Sequence, residues 1–179
     1  MLDKNSAVLV IVDVQGKLAT LMHEKEAFFD KVVKTIKCCQ VMGIPIFWNE
    51  QLPDKLGVTI PEIKESLPEM KPLVKETFSC CGNKDFLSRL KETGKDQVLL
   101  VGMETHVCVY QTAMDLLNKD FDVYLLADAV SSRTLENKEI AISTMQKIGV
   151  NLTSLEMAVF EMLGVAKGDE FKQVIKIIK

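Results

Sequence analysis

No stretch of this 179-residue chain combines proline, glycine and serine densely enough to act as a linker, so residues 1–179 are expected to form a single domain with a sizeable core. No apolar run approaches a bilayer span: AVLVIV and QVLLVGM are far too short. The opening MLDKNS lacks the basic region and apolar core of a signal peptide, and a cytoplasmic location is expected. Charge of one sign is missing too. The 22 Lys and Arg are interspersed with 25 Asp and Glu, for a net charge of -3, which leaves no electrostatic footprint for nucleic acid or an anionic membrane. The expected partners are a small-molecule substrate and further copies of the chain. Cysteine does not come in a framework: there are five, and the vicinal pairs Cys38-Cys39 and Cys80-Cys81 are too strained to bridge, so reduced thiols are expected. The two histidines, His23 and His106, form no spaced ligand set, and neither H-E-x-x-H nor C-x-x-C occurs, so no metal is expected. No G-x-G-x-x-G or Walker motif follows the first apolar run, which disfavours a dinucleotide enzyme and leaves no cofactor to expect. Internal repeats and low-complexity tracts are absent.

What the chain does have is alternation. SAVLVIVDV, from Ser6 to Val14, is a nearly continuous β-branched run of the kind buried on both faces of a sheet. After it, EKEAFFDKVVKTIKCCQVMG places apolar residues at helical spacing and stops at Gly43. IPIFWNE reads as a second strand, and Gln51 to Pro72 as a long loop with a helical turn in it. NKDFLSRLKETG is a helix with an Asn cap and a closing glycine, followed by the strand DQVLLVGM, a helix starting near Thr105 and the strand DVYLLADAV. TLENKEIAISTMQKIG, a short strand VNLTS and C-terminal helices complete the series. Strands separated by helices imply a three-layer α/β/α fold around an open, Rossmann-like parallel sheet.

In such a sheet ligands bind beyond the carboxyl ends of the strands, where Asp13, Glu50, Lys75 and Cys108 stand. Asp13 ends a strand otherwise made of apolar residues; it caps a helix, pairs with a cation or does chemistry, because an unpaired buried carboxylate is costly. Cys108 admits two readings as well. Free cysteines are usually small buried hydrophobes, yet this one lies in the first turn of a helix after a strand and a glycine, where unpaired N–H groups and the macrodipole favour a thiolate. Cys38 and Cys39 are packing residues within a helix, and Cys80 and Cys81 are core or pocket wall. His106 is two positions from Cys108 and points to a different face, so it is not its base.

Three segments taken together resemble the isochorismatase-like cysteine hydrolases: VIVDVQ with Asp13 and Gln15, VKETFSCC with Lys75 and Phe78, and GMETHVCVYQTAMDL with Cys108. They stand in the family's order. WNEQLPDKLGVTIPEI is similar to the equivalent loop of the short isochorismatase domain-containing branch. The resemblance implies that Asp13, Lys75 and Cys108 are the catalytic residues. Asp13 would take the thiol proton, Lys75 would stabilise charge, and Cys108 would attack the carbonyl of a small amide or related compound to give a thioester. It also implies a non-proline cis peptide at Met103-Glu104, turning the Glu104 and Cys108 N–H groups toward an oxyanion. Gln15, Glu50, Gln51 and Phe78 are the candidates for lining the substrate pocket. Nicotinamidases of the family carry an Asp/His metal set before the lysine, whereas Trp48 to Lys75 contains no histidine here, which argues against nicotinamide as substrate. Isochorismatases proper cleave a vinyl ether without needing the cysteine, so the family name does not assign that reaction. The expectation is a metal-independent cysteine hydrolase; the alternative is a non-catalytic assembly module that retains the fold. Relatives are commonly oligomeric, and apolar stretches such as VFEMLGVAK add to the expectation of a homo-oligomer.

Overall fold

β-branched and apolar residues dominate the strands of the computed structural model, which describes residues 1–179. In chain order the elements are β1 (Ala7–Val12), α1 (Gly16–Ala19), α2 (Lys25–Val41), β2 (Ile46–Gln51), α3 (Pro53–Leu56), α4 (Pro61–Lys64) and β3 (Leu73–Lys75). They continue with α5 (Lys84–Glu92), β4 (Gln97–Met103), α6 (Tyr110–Leu117), β5 (Asp122–Ser131), α7 (Leu135–Lys147), β6 (Asn151–Thr153), α8 (Leu155–Leu163) and α9 (Asp169–Ile178). The expected caps are present: the Asn83 side chain accepts from the N–H groups of Asp85 and Phe86, and that of Thr134 from Asn137. The long loop after β2 is less irregular than its prolines suggest. Pro53 and Pro61 each open a single helical turn, where their fixed φ and missing N–H are tolerated.

The six strands are all parallel, in the order β3-β2-β1-β4-β5-β6. Every residue of β1 and β4 is buried, because helices cover both faces of the sheet. Leu9, Ile11, Leu99 and Val101 face a core that includes Phe28, Val32 and Ile36 of α2 and Leu155 and Val159 of α8. The alternate residues Val8, Val10, Val98 and Leu100 face Phe86 and Leu90 of α5, Leu116 of α6 and Met145 of α7. This is the expected three-layer α/β/α arrangement.

Strand order reverses between β1 and β4, which opens a crevice at their carboxyl ends. Val12 pairs with Asn49 on one side and Gly102 on the other, and Gln51 pairs with Lys75. Gly102 makes this approach possible: its φ is 137°, and a Cβ there would lie 2.2 Å from the Val12 carbonyl oxygen. No helix is long and apolar enough to cross a membrane.

Candidate active site

β1 ends at Val12, and the chain turns sharply with Asp13 at a φ of 52°. Its carboxylate is no helix cap. α1 begins after Gln15 without a side-chain cap, and Asp13 Oδ2 instead receives Lys75 Nζ at 2.6 Å. Both side chains are almost wholly removed from water. Lys75 Nζ is surrounded by three further acceptors: the carbonyls of Phe78 at 2.8 Å and Thr77 at 3.0 Å, and Gln51 Oε1 at 3.3 Å. A buried cation is stable only when so paired and solvated by the protein. Asp13 Oδ1 has no hydrogen-bond partner. Burial raises the Asp13 pKa above the usual carboxylate value, and Lys75 opposes the rise.

Cys108 lies beside this ion pair, with its Sγ 3.3 Å from Gln51 Oε1. It does not sit at a regular helix start. Residues 105–109 form a π-helical turn ahead of α6, and the Glu104 carbonyl accepts from the N–H groups of Val107 and Val109. A helix end favours a thiolate, but the surroundings of the sulfur oppose one. Burial pushes the Cys108 thiol up to about 12, the Asp13 charge adds to the rise, and Lys75 only partly opposes it. The other four cysteines are also buried and free, with raised pKa values.

The expected cis peptide at Met103-Glu104 is absent, since every peptide bond is trans. Glu104 makes the turn with a left-handed φ of 56°, which costs roughly 1–2 kcal/mol against about 3 kcal/mol for a non-proline cis bond. Its carboxylate meets Arg133 Nε at 3.1 Å and His106 Nε2 at 3.4 Å. His106 Nδ1 lies 3.0 Å from Ser132 Oγ, so this histidine belongs to that group and not to the thiol.

Asp13, Gln15, Gln51, Met103, Glu104 and Cys108 line one cavity, together with Leu18 and Leu56, which the sequence had not marked. Its volume is about 30 Å³, room for roughly two waters. Gln15 has a second role, donating to the carbonyls of Gln51 and Gly57 while accepting from the Gln51 N–H. Two pocket candidates fall away. Glu50 faces the other side of β2 and accepts from the Thr59 N–H at 2.6 Å, tying down the loop. The Phe78 side chain is 52% exposed, and only its carbonyl reaches Lys75. The largest surface hollow, about 620 Å³ around Phe29 and Ile60, touches none of Asp13, Lys75 and Cys108. Volume is therefore a poorer guide here than chemistry.

A family model for the isochorismatase domain matches residues 7–157. The chain belongs to the isochorismatase family. This isochorismatase domain is 34% identical to the secreted isochorismatase effector Isc1 of Phytophthora sojae, over 98% of the chain and 85% of that relative. That protein is named as secreted, so family membership does not carry the expected cytoplasmic location. Among solved structures, the domain superposes on the MAR1 ribonuclease of Caenorhabditis elegans with a TM-score of 0.92 and 33% identity, covering 99% of this chain and 91% of that one. YcaC from Pseudomonas aeruginosa, solved with hexane-2,5-diol and covalent acrylamide, gives a TM-score of 0.92 at 25% identity, with coverage of 98% and 90%. The family and its hydrolase relatives support a hydrolase.

Proposed function

We propose that this isochorismatase domain is a cysteine hydrolase of small amides or related carbonyl compounds that needs no metal. The observation that carries the reading is the buried 2.6 Å Lys75–Asp13 ion pair set against a buried thiol at the topological switch point. At rest the site holds one anion, Asp13, and one neutral thiol. When a carbonyl carbon approaches Sγ, the thiol proton passes to Asp13, and the sulfur adds to the carbon. The tetrahedral adduct collapses to a thioester as Asp13 returns its proton to the departing amine. Water then cleaves the thioester, releasing a carboxylic acid and restoring the Cys108 thiol.

Two relatives bear on this reading. The YcaC structure carries covalent acrylamide, whose electrophilic centre is its alkene carbon, so a member of the fold bonds covalently to a small electrophile, which supports a reactive group and not attack at a carbonyl in particular. The nematode structure is named a ribonuclease, but the features of this chain do not favour RNA. Its net charge is -3, and its site lysine is fully buried and bonded to Asp13, so neither offers a contact to a phosphate backbone.

The test is a panel of short-chain amides followed by stopped-time mass spectrometry. The expected result is a burst of amine and an acyl adduct on Cys108, both lost in Cys108→Ala. Turnover that survives in Cys108→Ala refutes the mechanism. Neither turnover nor adduct with any amide favours the alternative of a non-catalytic assembly module.

A further inference from the structure

The cavity beside Cys108 is too small for the reaction just proposed. Sites for small molecules usually enclose roughly 300–1,000 Å³, and about 30 Å³ is open here. Something must move, and one wall is built to do so. Leu56 lines the cavity and is nevertheless 42% exposed, so it is a cover one side chain thick between the thiol and water. Its turn is self-contained: the N–H groups of Lys55 and Leu56 bond to the Leu52 carbonyl, and that of Gly57 to Pro53. Residues 53–57 can therefore shift as one body. The flanks are Leu52 and Gly57, both at positive φ, 41° and 86°. Leu52 is a non-glycine residue held in that strained region, as positions that define functional loops often are.

Few bonds hold the turn down. Gln15 Nε2 divides its two N–H groups between the Gln51 carbonyl at the base and the Gly57 carbonyl of the turn, the latter at 2.6 Å. The Gly16 N–H bonds to the Val58 carbonyl at 2.9 Å. Beyond that, Thr59 is firmly anchored by Glu50 and by Trp48 Nε1. Gly16 also fits this closed position closely, because a Cβ on it would lie 1.7 Å from the Leu56 carbonyl oxygen. Breaking two hydrogen bonds to open a five-residue turn is a local event, not an unfolding.

We propose that residues 53–57 form a lid over Cys108, and that Leu56 determines which carbonyl compounds reach it. The walls it closes against are Leu18, Met103 and the acidic Asp13 and Glu104. Both carboxylates are already paired, Asp13 with Lys75 and Glu104 with Arg133, and no Lys or Arg lines the cavity, so these walls suit a small uncharged acyl group and offer an anionic one no counter-charge. This rests on Cys108 as the reacting group, although its test does not require turnover.

Alkylation of Cys108, followed by peptide mapping, compares iodoacetamide, iodoacetate and the bulkier N-phenylmaleimide on the wild type and on Leu56→Ala. Cys81, which lies outside the cavity, is the internal reference. With a lid open about 10% of the time, Leu56→Ala should speed the maleimide by up to roughly tenfold. It should speed iodoacetamide less and leave iodoacetate slow. An equal acceleration of all three reagents, no acceleration, or a matching acceleration at Cys81 overturns the lid. Hydrolysis without the size effect leaves the proposed function and removes the lid; the size effect without hydrolysis does the reverse.

Discussion

Replacing Lys75 by Met removes the only cation bonded to Asp13 and leaves a carboxylate with about 5% of its side chain accessible. Such a group either stays charged at high cost or takes up a proton. The second route sets a ceiling. Protonating at pH 7 a carboxyl whose ordinary value is 3.8 costs about 4 kcal/mol, at roughly 1.36 kcal/mol per pH unit. The loss of a donor to the Thr77 and Phe78 carbonyls adds a further cost that does not vary with pH. The sign follows from linkage. In the variant the folded-state pKa of Asp13 is raised above its unfolded value, so stability is fully present below about pH 4 and is lost as pH rises through the folded value. Urea unfolding of wild type and variant at pH 5, 6 and 7 should show the gap widening, with the carboxyl part growing from under about 2 to as much as about 4 kcal/mol. Adding Asp13→Asn to Lys75→Met should recover most of that part and remove the pH dependence. A gap that is the same at pH 5 and pH 7, or a double variant no more stable than the single, would refute the picture of a mutually dependent buried pair.

Three further outcomes are expected. Dialysis against a chelator should leave any hydrolytic rate unchanged, because no three His, Cys, Asp or Glu side chains gather into a ligand set; a loss restored by added zinc contradicts this. Alkali should destabilise the fold: Cys38 and Cys81 are pushed from 9.0 up to about 11 and Cys108 to about 12, so their contribution is intact below about pH 9 and lost as pH rises through these values. Melting temperatures that do not fall between pH 8 and pH 11 would count against it. Finally, Met157, Phe160 and Val165 are exposed on and just after α8, and sedimentation at micromolar concentration should show self-association; monomer alone removes that proposal.

Much of the scaffold was legible because its signals are local. SAVLVIVDV and DQVLLVGM are continuous apolar runs, and those runs are the two fully buried central strands. Their ends lead to Asp13 and Cys108 on either side of the switch point, so strand boundaries marked two candidates whose roles position alone left open. Lys75 was marked only by its place near a strand end, and its role followed from the resemblance, since β3 is three residues long and carries too little pattern to read. Other features depend on tertiary placement. Alternation along β2 turns Glu50 and Gln51 to opposite sides, so one braces the loop and the other reaches the thiol. Leu56 is an ordinary loop leucine until the two glycines, Gly16 and Gly57, bring its turn onto the strand ends. The direction of the Cys108 shift was open at the level of sequence for the same reason: position near a helix start is local, whereas burial and the Asp13 charge are not.

A raised thiol pKa does not by itself weaken the proposed chemistry. Free thiolate is scarce at neutral pH when the thiol is pushed up to about 12, but the proton has only to cross to Asp13, whose own pKa is also raised by burial. That shift makes Asp13 a better acceptor and works against the rise in the thiol. Moving a proton from sulfur to carboxylate leaves the total charge around Lys75 unchanged: one anion faces the ammonium before the transfer and one after. No charge enters or leaves the low-dielectric site, so the large desolvation cost that makes an isolated thiolate scarce is not incurred again. The four acceptors around Nζ exceed its three N–H bonds, and the longest contact, 3.3 Å to Gln51, is the one most readily released. Under the proposed mechanism, releasing that contact would let Lys75 turn toward the sulfur while keeping its bonds to the Thr77 and Phe78 carbonyls. Such a site, under the proposed mechanism, keeps its sulfur protonated until an electrophile is admitted, and the nucleophile forms in the same step that uses it.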